Sequence, residues 1–88
     1  MDSRVEKIRE HCRTKAAEFK PNSRMQEGFA RSQGKMYSAY CNIANAIVRN
    51  AGEYQGVVRF LNSQLDPDNN EPDSPMFQAA TDCLNVIA

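Results

Sequence analysis

Tryptophan is absent from this chain, histidine occurs once, and glycine and proline occur four times each. No apolar run comes near the roughly 18 residues that a membrane-spanning helix requires. Each shortage excludes some chemistry. Nucleophilic catalysis needs a nucleophile, a base and a group that orients the base. The single histidine, His11, stands beside Cys12 in sequence, and adjacent residues on a helix point in different directions. His11 is therefore expected at the surface and Cys12 in the core. The three cysteines, Cys12, Cys41 and Cys83, are odd in number and lack any CxxC pair, so neither a disulfide framework nor a zinc site follows from their spacing. All three fall on apolar stripes and are expected to be reduced core residues. The glycines form no phosphate-binding fingerprint after a strand. "DPDNNEPD" resembles a calcium loop only in its carboxylates, lacking the glycine and terminal glutamate such a loop needs. The expectation is a protein that is not an enzyme and uses no metal and no cofactor. "MDSRVEKIRE" lacks the basic-then-apolar design of a signal peptide, so the expected location is the cytoplasm.

Eighty-eight residues suffice for one domain, expected over 1–88. A chain of this size buries only about 60–65% of its unfolded surface, and oligomerisation is a common remedy. Net charge is zero but unevenly spread: residues 1–35 carry nine Lys/Arg and five acids, residues 36–88 two Lys/Arg and six acids. That asymmetry suits an anionic partner, or contact between the two halves.

Apolar periodicity predicts an all-α fold, a small bundle of three or four helices. In "DSRVEKIREHCRTKAAEFK", Val5, Ile8, Cys12, Ala16 and Phe19 recur at steps of three and four. Ser3 and Glu6 have capping-box spacing, and Pro21 ends the segment, giving a helix over about 3–20. Ser23 and Gln26 repeat the capping spacing and open a long second helix, about 23–51, as the spine. Met25, Phe29, Met36, Tyr40, Ile43 and Ile47 form its stripe, with Gly52 as a left-handed cap. Gly28 and Gly34 weaken it, and a break near Gly34 is weighed against a continuous helix. A second stripe, Tyr37, Cys41, Ala44 and Val48, predicts packing on two sides. Residues 53–65 suit a helix better than a strand, because no second strand candidate exists. An acidic, proline-punctuated loop, 66–74, is expected to be mobile. Ser74-Pro75 then starts a last helix over about 75–87.

One face of the second helix is polar throughout. Arg31, Lys35, Ser38, Asn42, Asn45 and Arg49 are spaced four, three, four, three and four, with no acid between Glu27 and Glu53. A solvated face usually favours Glu, Lys and Gln, which have better helix propensity than asparagine. Three readings compete: plain solvation, an interface whose register the asparagines set, and the grip of an anion by cations and amides. The leading expectation is a non-enzymatic protein-binding module, inhibitor- or adaptor-like, with a protein partner of acidic character. It self-associates as a homo-oligomer through Met36, Tyr37, Tyr40, Ile43, Ala44, Ile47 and Val48. The alternative is a binder of an anionic ligand, nucleotide or nucleic acid through Arg31, Lys35, Asn42, Asn45 and Arg49. Neutrality and a pI near 6.6 weigh against bulk nucleic acid.

Overall fold

The computed structural model describes residues 2–21, 24 and 26–88. Among these, four helices run in the order α1 (Ser3–Phe19), α2 (Glu27–Arg49), α3 (Tyr54–Gln64) and α4 (Pro75–Val86), with no strand. The all-α bundle is as the periodicity predicts, and residues 54–64 are helix rather than strand. No helix among the described residues is long and apolar enough to cross a membrane.

Local chemistry explains the helix ends, with two corrections to the sequence reading. The cap of α1 is Asp2, not Ser3: its Oδ1 accepts from the Arg4 backbone N–H at 2.8 Å. A carboxylate there also complements the positive end of the helix. Arg4 returns the contact through its guanidinium and lies 3.4 Å over the Tyr54 ring of α3. These bonds hold the Asp2 carboxyl down at about 2. The second capping pattern, at Ser23, lies outside the described residues, and α2 begins at Glu27, with Gln26 ahead of it making no side-chain cap. At the other end of α2 the left-handed turn takes two residues, Ala51 (φ 53°) and Gly52 (φ 71°). Gly52 N–H donates to Ile47 O and Ala51 N–H to Val48 O, the paired bonds of a Schellman ending. Asn50 adds its own side-chain bond to Ala46 O. Ser74 caps α4 as its sequence predicts, accepting from Phe77 N–H, with Pro75 in the first turn.

α2 is unbroken through Gly34. Its 23 residues span about 35 Å at 1.5 Å each, inside the 39 Å long dimension of the molecule. Its buried face is narrower and rotated from the predicted one: Ala39, Tyr40, Ile43, Ala46 and Ile47 enter the core, while Phe29 stays 55% and Val48 76% exposed. Within the chain, α2 packs against α1, α3 and α4. The stripe of Tyr37, Cys41 and Ala44 is half-buried only. Val5, Ile8 and Cys12 of α1, Val57 and Leu61 of α3, and Ala79, Ala80 and Cys83 of α4 complete the core. The alanines matter because small side chains let helices approach closely, and Ala39, Ala46 and Ala79 were not among the residues of the predicted stripes.

The acidic loop is braced rather than loose. Asp66 Oδ1 accepts from Asp68 N–H, Asn69 Nδ2 donates to Ser63 O, and Asn70 Nδ2 donates to Gln64 O and Oε1. The Asn70 amide satisfies the Gln64 carbonyl at the end of α3, and Asn69 adds a second bond to Ser63 O beside that from the Asp66 N–H.

Candidate functional site

The braced loop and the Ser74 cap set the start of α4 against the polar face of α2. Between them lies an open groove of about 550 Å³. One wall is α2: Arg31, Gly34, Lys35, Ser38, Ala39 and Asn42. The other is Asn70, Ser74, Pro75 and Met76. Three of the predicted binding residues, Arg31, Lys35 and Asn42, thus line one groove. Asn45 and Arg49 continue the same exposed face beyond it, towards the end of α2.

The electrostatics favour an anion. Arg31 and Lys35 supply positive charge, and the first turn of α4 adds the positive end of a helix dipole. Arg31 is only loosely engaged, with its Nη2 3.4 Å from Glu27 Oε1 and both side chains well exposed. Such a pair contributes little and yields readily to a better anion. No ion pair joins an acid of the loop to Arg31 or Lys35 among the described residues. Ala39, Pro75 and Met76 give the groove an apolar floor as well. Asn70, Ser74 and Met76 were absent from the sequence expectation, because no local pattern tells which helix face α4 will meet.

Exposure answers one question about the asparagines. Asn42 and Asn45 both face outward, so neither crosses a helix–helix contact within the chain. The predicted self-association face fares differently. Tyr40, Ile43 and Ile47 are buried in the chain's own core, and Met36 and Ala44 pack partly against it. Those contacts already use the surface that was expected to be surplus. Tyr37, Ala44 and Val48 keep exposed area.

A second polar cluster escaped the sequence reading. His11 is not a plain surface residue: its Nε2 donates to Asp82 Oδ2 at 2.6 Å, and Tyr40 Oη donates to the same oxygen at 2.5 Å. The His11 ring meets the Tyr40 ring edge-on, and Phe19 stacks on Tyr40. Burial pushes the Tyr40 hydroxyl up, and Asp82 pushes it further. Burial alone would raise the Asp82 carboxyl, but the bonds from Tyr40 and His11 outweigh it and hold the group below the usual range. The signal for this cluster is long-range, 71 positions from His11 to Asp82. Cys12 turns away from His11, and its Sγ lies 3.6 Å from Cys83 Sγ. Both are buried and free, whereas Cys41, expected in the core, is half-exposed. The described residues hold no group of three or more His, Cys, Asp or Glu placed to bind a metal ion.

No known protein family, characterised protein or solved structure is recognisably similar to this chain.

Proposed function

We propose that this chain is a non-enzymatic binding module that takes an acidic segment of a partner protein along the exposed face of α2, in an inhibitor- or adaptor-like manner. The observation that carries the reading is the groove in which Arg31, Lys35, Ser38 and Asn42 face the first turn of α4. An acidic side chain of the partner would sit between the two cations and the helix start. An apolar neighbour would rest on Ala39, Pro75 and Met76. From Arg31 to Arg49 the cationic and amide stripe extends over about 27 Å at 1.5 Å per residue. That length suits an extended peptide better than a nucleotide, which would occupy the groove alone.

The test is binding of a fluorescent peptide rich in Asp and Glu with one aromatic residue, followed by anisotropy at two salt concentrations. Arg31→Ala/Lys35→Ala should weaken binding at least tenfold, and added salt should weaken the wild type more than the variant. Saturable binding of ATP or heparin at these residues, with indifference to the peptide, would move the assignment to an anionic small ligand or nucleic acid. No binding of any of them would remove the site.

A second reading, self-association, is favoured by Val48, which stands 76% exposed in line with Tyr37, Cys41 and Ala44. Apolar groups at that spacing along one helix suit a contact with a second copy. Light scattering at micromolar concentration tests it, and a monomeric mass throughout would refute it.

A further inference from the structure

The seam between α1 and α4 has a feature that the binding groove does not use. His11 and Cys12 are consecutive on α1, Asp82 and Cys83 are consecutive on α4, and the two pairs meet in register. The polar partners lie 2.6 Å apart and the two sulfurs 3.6 Å apart. We propose that Cys12 and Cys83 are an oxidative modification site, a thiol pair that hydrogen peroxide converts into a disulfide clasping α1 to α4.

Bond formation requires the sulfurs to close from 3.6 Å to about 2.05 Å. The helices are already in contact, and the adjacent His11–Asp82 bond keeps their register. The two thiols differ in access. Cys12 borders a cleft of about 250 Å³ between α1 and α2, together with Arg9, Arg13, Tyr40, Cys41 and other residues, and Cys83 does not border it. An oxidant small enough for that cleft therefore meets Cys12 before Cys83, and the half-exposed Cys41 shares the cleft but is not paired with either sulfur. Cys83 is fully enclosed, and the Cys12 sulfur beside it together with burial holds its thiol protonated well above the usual range.

The chemistry closes without another reagent. The Cys12 sulfur attacks one oxygen of hydrogen peroxide, the O–O bond breaks, and hydroxide leaves as water, giving a sulfenic acid. The Cys83 sulfur then attacks the Cys12 sulfur, the S–O bond breaks, and a second water leaves with the Cys83 proton. Two thiols lose two electrons, and one peroxide becomes two waters. The ring so closed joins positions 12 and 83 and encloses most of the chain, so it restricts the unfolded state strongly.

The experiment is peroxide treatment of the folded, reduced protein, followed by intact mass, non-reducing peptide mapping and a thermal melt. The expected product is two hydrogen atoms lighter and carries a Cys12–Cys83 linked peptide. Its melting temperature should be higher by on the order of 10–30 °C, and a dithiol reductant should reverse the change. Cys41→Ser should form the same product. A linkage involving Cys41, oxygen added to Cys12 with no linkage, or a product that melts no higher than the reduced protein would each overturn the proposal.

Discussion

Replacing Asp82 with alanine removes the acceptor on which two helices converge. Tyr40 is buried, and its hydroxyl donates to Asp82 Oδ2 at 2.5 Å. Without Asp82 that donor loses its acceptor in a part-buried seam. A hydrogen bond to a charged acceptor contributes about 1.5–3 kcal/mol, and stranding a buried donor costs a comparable amount. The His11 bond is partly exposed and adds about 0.5–1 kcal/mol. The sum, about 2–4 kcal/mol, is a large share of the roughly 4–13 kcal/mol expected for a chain of this length. It corresponds to a melting temperature lower by roughly 10–25 °C. Tyr40→Phe should cost less, about 1 kcal/mol, because Asp82 is open enough to turn to water. In the double variant neither group is stranded, so its loss should fall short of the sum of the singles by at least about 1 kcal/mol. Urea unfolding followed by circular dichroism measures all three. The sign with pH follows from Asp82. Its carboxyl is depressed in the folded state, so the contribution of its charge is complete above the unfolded value of about 3.9 and disappears as pH falls through the folded one. The stability difference between the wild type and Asp82→Ala should therefore narrow as pH falls below the ordinary carboxyl value, while the part owed to the Tyr40 bond to a neutral carboxyl remains. Additive single effects, or a loss for Asp82→Ala under about 1 kcal/mol, would refute the shared-acceptor argument.

Ala51 carries a side chain at φ 53°, so Ala51→Gly should raise stability by about 1 kcal/mol in thermal melts. Two of the helical glycines, Gly34 and Gly56, should respond in opposite directions. A Cβ at Gly34 would make ordinary contact with Pro21 Cγ at 3.6 Å, whereas one at Gly56 would meet Asn50 Oδ1 at 2.5 Å. Gly34→Ala should gain up to about 1 kcal/mol. Gly56→Ala should lose about 1 kcal/mol or more, because Asn50 is held by its bond to Ala46 O and overpacking costs more than propensity returns. Adjacent charge insertions separate core from surface on α2: Ile47→Asp should unfold the chain, while Val48→Asp should leave its helicity intact and abolish any dimer seen by light scattering.

Periodicity alone determined the helices and the side of α1 that turns inward. The spacing of Val5, Ile8 and Cys12 leaves a helix one way to bury its apolar groups, and all three are in the core. The same logic put Arg31, Lys35 and Asn42 on one face, because a helical face is a local property of every third and fourth residue. Where two stripes were available the sequence could not choose. Tyr40, Ile43 and Ile47 turned inward and Val48 outward because α2 has one set of neighbours, and Ala39 and Ala46 fit against them. Only the tertiary structure placed the first turn of α4 opposite Lys35, or His11 beside Asp82 and Cys12 beside Cys83. Those meetings depend on how helices far apart in sequence pack, through groups whose neighbours along the chain carry no trace of the partner.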